Sequence, residues 1–205
     1  MISPVEIRDS ASVILLQLYT TTPKILMGKR GANAVFMPNM YVFPGGSIEP
    51  VDYKTPFLST NQIKNFEKLS LQADTKFGGP LLNCAVRELE EETGIQIRNC
   101  DFSNLSVAFI LRAITPPGMS RRFDTRFFLF KIGDNLNTNQ FNNFSNASGE
   151  LSDLKWIGLE EALALDIPAI TRNVIRLVSS SLDQETKTNQ LPFYREGSLQ
   201  ELTFL

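Results

Sequence analysis

Residues 87–95, RELEEETGI, decide the fold, because they combine a helical pattern with a dense acidic cluster. Glu88, Glu91 and Glu92 stand at positions i, i+3 and i+4, so a helix places their carboxylates on one face. Most charged helix faces carry both signs and simply face solvent, but here Arg87 is the only local counter-charge. Carboxylate oxygens gathered in this way suit a hard divalent cation such as Mg²⁺ or Mn²⁺.

A second informative segment is FPGG, residues 43–46, which ends a short predicted strand. Gly45 and Gly46 have no Cβ, so the backbone can bend sharply there and present its N–H or C=O groups to a ligand. Taken alone, the two glycines fit an ordinary hairpin turn equally well. The acidic helix that follows is what favours the ligand-binding interpretation.

The rest of the chain alternates between apolar runs and helical patterns. The apolar runs predict strands over 12–19, 24–29, 41–43, 105–114, 122–132 and 154–158. The helical patterns predict helices over 60–71, 80–93, 159–165 and 169–182. Pro80 suits the first turn of the acidic helix and Gly94 the position after its last turn. A loop is predicted over 133–148 and a final hairpin within 192–205. The fold class is therefore α/β (α+β), with a mainly antiparallel or mixed sheet.

These segments resemble the signature of the Nudix hydrolase family, G-x5-E-x7-R-E-U-x-E-E-x-G-U, where U is a bulky aliphatic residue. Residues 87–95 match its second half completely, and its first half begins at Gly46 with Asp52 in place of Glu. Between Asp52 and Arg87 stand 34 residues, where the signature has seven. The resemblance implies a Nudix-type α/β/α sandwich with a mixed sheet and an insertion over about 53–79. It also implies a single domain over 1–205, whose helical and tail region covers about 166–205.

The resemblance assigns the acidic helix to metal binding. In the family pattern, Glu88, Glu91 and Glu92 bind Mg²⁺ or Mn²⁺, and the carbonyl of Gly46 is a further candidate ligand. The implied reaction is hydrolysis of the diphosphate linkage of a nucleoside diphosphate derivative. Bound divalent ions neutralise the diphosphate and lower the pKa of a bound water.

Two further roles follow from the same resemblance. Arg87 is expected to brace the signature loop through a carboxylate, for which Asp52 is the candidate. Family members often have an additional acid, serving as base or ligand, on the loop before the Trp-containing strand. Glu150, six residues before Trp156, is the first candidate for this catalytic role, and Asp153 is the second.

Substrate contacts are expected from backbone groups and arginines. The glycine segment supplies Gly45 and Gly46, and guanidinium groups are suited to phosphate oxygens. The candidate arginines are Arg30, Arg112, Arg121 and Arg122.

The interrupted signature is similar to that of peroxisomal coenzyme A diphosphatase-like proteins. Their upstream motif has an Arg at the spacing that Arg30 has from Phe43, although Val35 and Asn39 replace its second Arg and its Gly. The resemblance therefore implies coenzyme A or an acyl-coenzyme A as substrate. Two alternatives stay open: an ADP-ribose or NADH pyrophosphatase, and a non-catalytic Nudix-fold ligand sensor.

The amino-acid composition excludes several classes of function. The chain has 205 residues, no histidine and a net charge of −2, which excludes histidine-dependent catalysis and leaves no basic field for nucleic acid. No apolar run approaches the ~20 residues of a membrane span. The two cysteines fit a reducing compartment, so we expect a cytoplasmic protein that binds a small molecule, with a homodimer left open.

Overall fold

The computed structural model describes residues 5–18, 20–54, 63–64, 78–99, 105–133, 141–183, 191–195 and 197–202. In this part of the chain, ten strands form one sheet. The strands are β1 (Ile7–Gln17), β2 (Lys24–Arg30), β3 (Tyr41–Val42), β4 (Gly45–Ser47), β5 (Ile63–Lys64), β6 (Leu105–Ile114), β7 (Arg122–Ile132), β8 (Leu151–Gly158), β9 (Leu191–Arg195) and β10 (Ser198–Leu202). The helices are α1 (Gly78–Thr93), α2 (Leu159–Leu163) and α3 (Ala169–Asp183), and single 3₁₀ turns occur at Pro50–Tyr53 and Ile97–Asn99.

The sheet is mixed, as the sequence predicts. Its main path runs β10-β9-β6-β7-β1-β2-β3, while β4 pairs with β1, β5 with β6 and β8 with β2. The central pair β1 and β7 is parallel along its whole length, from Ile7 opposite Arg122 to Gln17 opposite Ile132. The predicted final hairpin is confirmed, since β9 and β10 pair antiparallel.

A helix covers each face of the sheet, which gives the predicted α/β/α sandwich. Because side chains alternate along a strand, Val13 and Leu15 of β1 pack in the core with α1. Ile14 and Leu16 point the other way and pack in the core with α3. None of the helices in the described ranges is both long and apolar enough to span a bilayer.

Part of the predicted helix over 60–71 is wrong. Ile63–Lys64 form β5, which pairs in parallel with Val107 and Ala108 of β6. Among the described residues, β9 pairs with β6 from Arg112 onward, and β5 pairs with the backbone groups further along the same edge, which local helical spacing does not reveal. The rest of that predicted helix, and most of the insertion over 53–79, lie outside the described residues.

Four charged side chains form a network on the α1 face of the sheet, in which Arg112, Asp124 and Arg126 are buried and Asp9 is partly exposed. Arg112 donates from Nε and Nη2 to the two oxygens of Asp124, at 2.8 and 2.6 Å. Arg126, only 1% exposed, donates from Nη1 to Asp9 at 2.6 Å and lies 3.1 Å from Asp124. Arg112, one of the predicted phosphate contacts, therefore belongs to an ion pair within the sheet, with its guanidinium over the ring of Phe193.

Replacing Asp124 by Asn should destabilise the protein strongly. Two buried guanidiniums would lose their shared carboxylate, and breaking such a pair typically costs about 3–5 kcal/mol. Urea unfolding of Asp124→Asn, with the exposed Asp166→Asn as the matched control, measures the difference. A loss below about 1 kcal/mol, the scale of exposed pairs, would contradict this account.

Candidate active site

The acidic face of α1 meets the sheet at β4. Leu81, Ala85 and Leu89 are buried in the core, and Glu88 and Glu92, each seven residues after one of them, lie along the edge of the same buried stripe of the helix, where it meets the strand of glycines. Glu92 is only 2% exposed, and its Oε2 accepts the backbone N–H of Gly45 at 2.9 Å. The helix is thus joined to β4 through a carboxylate.

Burial changes the protonation of Glu92. Desolvation, reinforced by the charges of Glu88 and Glu150, raises the pKa of Glu92 to about 8, against the opposing effects of the Gly45 N–H and Arg30. The pKa of Glu88 is raised for the same main reason, with Glu91 and Glu150 adding to it and Arg87 opposing it. The carboxylates therefore lie close enough to repel one another in a weakly solvated place.

Arg87 organises the other side of the acidic face. Its Nε and Nη2 donate to both oxygens of Asp52 at 3.0 Å each, which is the contact that the sequence predicts. Nη1 donates to Glu88 at 2.8 Å and to Glu91 at 3.1 Å, and Nη2 also donates to the Ser47 carbonyl at 3.0 Å. One guanidinium thus ties the helix to β4 and to the 3₁₀ turn.

Gly45 and Gly46 are needed for close approach rather than for a sharp turn. Both lie in β4, paired with Ser12 and Ala11 of β1, which corrects the predicted bend. A Cβ at Gly45 would lie 2.5 Å from the Ala11 carbonyl oxygen, and one at Gly46 would lie 2.1 Å from a carboxylate oxygen of Glu88. The Gly46 carbonyl, the predicted metal ligand, accepts a hydrogen bond from the Cys84 thiol.

Glu150, from the second half of the chain, lies near Glu88 and Glu92 of the acidic helix. Its Oε1 lies 3.4 Å from Nη2 of Arg30, and its charge raises the pKa of Glu88 and Glu92. The Nε of Arg30 is buried and has no hydrogen-bond partner among the described atoms. Glu150 and Arg30 are therefore brought together with the acidic helix.

The loop that carries Glu150 is attached to the end of α1 through its backbone. The Ser148 N–H donates to the Glu91 carbonyl at 2.8 Å. Gly94, with a φ of 77°, is so close to this loop that a Cβ would lie 2.9 Å from the Ala147 nitrogen. Sequence reasoning recognised Gly94 as a helix end but missed this docking.

The remaining predicted residues lie elsewhere. Arg122 begins β7, and its Nε donates to the Thr115 carbonyl; its substrate role stays a prediction. Asp153, the second candidate acid, accepts hydrogen bonds from Tyr41 and Lys155, and these lower its pKa. Asp153 is thus held in a separate, exposed group.

The donor set fits a hard divalent cation by its chemistry. In the described part of the chain no three acidic or sulfur side chains converge as metal ligands, and Glu88 and Glu91 are hydrogen-bonded to Arg87. Their oxygens, with those of Glu92, are nevertheless the hard ligands that Mg²⁺ and Mn²⁺ prefer. A cation that took these two carboxylates from Arg87 would also relieve the repulsion around Glu92.

Known proteins place this sandwich and its acidic helix in one class. A family model described as the NUDIX domain matches residues 8–178. The chain therefore belongs to the Nudix family, which acts on nucleoside diphosphate derivatives, and the predicted family resemblance and fold class are confirmed.

Individual relatives agree with this class. The chain is 27% identical over 186 residues to "Putative nudix hydrolase 7" of Caenorhabditis elegans, covering 76% of this chain and 53% of that protein. It is 30% identical over 97 residues to "Acyl-coenzyme A diphosphatase NUDT19" of Xenopus laevis, covering 37% of this chain and 26% of that protein. The chain thus spans about half the length of the first relative and about a quarter of the second.

A solved structure shows the same fold. The crystal structure of a NUDIX hydrolase from Alicyclobacillus acidocaldarius superposes with a TM-score of 0.60 at 19% identity, over 85% of this chain and 92% of that one. The family model, the relatives and this solved structure thus agree on the Nudix class and fold.

Alanine at the two glycines should have different consequences for stability. At Gly45 the new Cβ meets backbone atoms of Ala11 and Ser12, and overpacking of this kind costs about 1–3 kcal/mol. At Gly46 it meets the end of the Glu88 side chain, which can turn away. Urea unfolding should show Gly45→Ala to be clearly less stable than Gly46→Ala. Equal losses of unfolding free energy would show that the backbone around Gly45 adjusts as readily as the Glu88 side chain.

The raised pKa of Glu92 predicts how stability depends on pH. Between the ordinary value of 4.5 and the folded value of about 8, the folded state holds a proton that the unfolded state has released. Stability should therefore fall as pH rises through this window, at up to about 1.4 kcal/mol per pH unit. Urea unfolding at pH 5, 6.5 and 8 in EDTA should show this fall in wild-type protein and in the exposed control Glu91→Gln. In Glu92→Gln the stability should fall less steeply with pH, because the titrating carboxyl group is absent. The same fall of stability with pH as in wild type would contradict the raised pKa of Glu92.

Proposed function

We propose that this chain is a divalent-metal-dependent pyrophosphohydrolase that cleaves the diphosphate linkage of a nucleoside diphosphate derivative. The observation that carries the proposal is the buried Glu92, fixed by the Gly45 N–H and surrounded by Glu88 and Glu150. A helix that only faced solvent would not bury a carboxylate among other carboxylates, because the desolvation and the repulsion both cost free energy.

Glu88, Glu91 and Glu92 would hold the divalent ion, with the Gly46 carbonyl as a further ligand. When bound, Mg²⁺ or Mn²⁺ neutralises the diphosphate and acidifies a coordinated water. Arg87 contributes by keeping Asp52, Ser47 and the helix in one arrangement. It acts through the other side chains and therefore has a positioning role.

Glu150 and Arg30 would act on the substrate side. In the reaction a water oxygen bonds to one phosphorus, the bond from that phosphorus to the bridging oxygen breaks, and two phosphate esters are released. With no histidine in the chain, a carboxylate is the available side-chain base, and Glu150 would accept the proton of the water. Arg30, whose Nε has no partner among the described atoms, would bind a phosphate oxygen of the substrate.

Coenzyme A or an acyl-coenzyme A is the first substrate candidate. Its support is the Arg30-to-Phe43 spacing and the partial similarity to a protein named as an acyl-coenzyme A diphosphatase. Substrate binding by Gly45, Gly46 and Arg122, the cytoplasmic location and a homodimer remain predictions.

Chelation and one substitution test the metal site. Activity should disappear in excess EDTA and return with Mg²⁺ or Mn²⁺. Glu91→Gln removes a ligand charge from an exposed side chain, so turnover should fall roughly 100-fold or more while the melting temperature stays near that of wild type. The exposed Glu160→Gln on α2 is the matched control and should retain turnover. Activity that survives chelation would refute the proposal.

A substrate panel tests the specificity. Coenzyme A, NADH, ADP-ribose and nucleoside triphosphates should be incubated under one metal condition and the products identified by mass. We expect the highest kcat/KM for coenzyme A. Preferred turnover of ADP-ribose or NADH would select the alternative pyrophosphatase, and tight binding without turnover would select the sensor.

A further inference from the structure

The strand that follows Glu150 contains one extra residue. The pairing of β8 with β2 shifts in register between Met27 and Lys29, so that Asp153 and Leu154 of β8 both stand opposite Gly28. Such a β-bulge moves the part of the strand beyond it by one position of the pairing and turns its side chains to the other face of the sheet. The bulge therefore decides which residue of β8 faces each residue at the end of β2.

The backbone of Asp153 is held in an unusual conformation at this bulge. Its φ of 46° lies in the left-handed region, which a residue other than glycine adopts only at a cost in free energy. The Asp153 carboxylate accepts hydrogen bonds from the Tyr41 hydroxyl and from Nζ of Lys155. Tyr41 belongs to β3, on the other side of β2, so the strained residue is bonded to a strand other than its own.

Gly28 provides the space that the bulge needs. A Cβ at Gly28 would lie 2.8 Å from the Cβ of Leu151 and 2.8 Å from a methyl carbon of Leu154. In a regular strand, side chains three residues apart point to opposite faces. Both leucines can cover the same glycine because the bulge lies between them, and Leu151 is only 2% exposed as a result.

The shifted pairing sets the place of Glu150. Leu151 stands opposite Arg30 in the pairing of β8 with β2, and Glu150 directly precedes Leu151, with Oε1 3.4 Å from Nη2 of Arg30. Without the extra residue, Ser152 would stand opposite Arg30, Leu151 would turn to the other face, and Glu150 would be displaced by the length of one residue. Proton transfer from a bound water does not tolerate a displacement of that size.

We infer that Asp153 and Gly28 are positioning residues for the reaction, because the bulge that they form holds Glu150 opposite Arg30. The inference rests on the proposed function, in which Glu150 accepts the proton of the water. It also gives a role to Asp153, the second candidate acid of the sequence. Asp153 acts through the register of β8 and makes no contact with the reacting atoms.

Two substitutions of Asp153 test this role. Asp153→Val introduces a β-branched residue that disfavours a positive φ and cannot accept the two hydrogen bonds. Its kcat should fall roughly 10- to 100-fold, the effect of a misplaced catalytic group, with a smaller change in KM. Asp153→Asn is the matched control, because asparagine tolerates the left-handed conformation and keeps an acceptor. It should retain kcat within about threefold of wild type, and a loss as large as that of Asp153→Val would overturn the inference.

A double substitution separates positioning from a general structural effect. In a Glu150→Gln background, Asp153→Val should lower kcat no further, because the group that it positions has lost its function. Equal losses in both backgrounds would overturn the inference. Gly28→Ala should disturb the bulge from the opposite strand and give the same dependence on Glu150. Its control is Gly31→Ala, where an added Cβ has nothing within 4 Å.

A measurement of the register keeps this inference separate from the proposed function. Cross-strand nuclear Overhauser contacts of the backbone should pair Arg30 with Leu151 in wild type and in Asp153→Asn, and with Ser152 in folded Asp153→Val. If wild type hydrolyses no substrate, the proposed function fails and these contacts decide alone whether the bulge places Glu150. An unchanged pairing of Arg30 with Leu151 in Asp153→Val would overturn the inference. If Asp153→Val does not fold, Gly28→Ala and its control give the same measurement.

Discussion

The guanidinium of Arg87 is the contact on which the arrangement of the acidic face depends. Desolvation disfavours its charge, yet the bonds to Asp52 and Glu88 outweigh this and raise the pKa of Arg87 above its ordinary value. The side chain stays fully charged and joins three separate segments of backbone: the 3₁₀ turn, β4 and α1. Without it, Asp52 would be a buried carboxylate without its counter-ion, and β4 would lose its side-chain link to the helix at Ser47.

The three glutamates of one helix face have three different environments. Glu91 has a side chain 56% exposed to solvent, Glu88 is largely buried beside Gly46, and Glu92 is enclosed against Gly45. The repulsion among them is therefore concentrated where water screens it least. An arrangement of this kind is costly for a folded chain on its own, and the divalent cation of the proposed function would offset the cost.

Much of this molecule could be predicted from local sequence. The acidic helix was predictable from Pro80, the glutamate spacing and Gly94, and the contact from Arg87 to Asp52 followed from the family pattern. Strand β4 was missed because glycine has little strand propensity. Its extended conformation is stabilised by the pairing with β1, which the local sequence does not show. Strand β5 was missed because the open edge of β6 decides its conformation. The burial of Glu92 depends on which part of the helix face β4 covers, and spacing along a helix cannot specify that.

The hydrogen bond from the Ser148 N–H to the Glu91 carbonyl has a consequence for how this protein can vary. Because the bond is made by backbone groups, most substitutions in the loop over 142–147 leave it in place. Deletion of Gly149, the residue between Ser148 and Glu150, is different, since it would displace Glu150 by about 3.3 Å, the rise of one extended residue. The loop is therefore constrained in its length far more than in its composition, and gene variants that differ only in side chains there should keep Glu150 opposite Arg30.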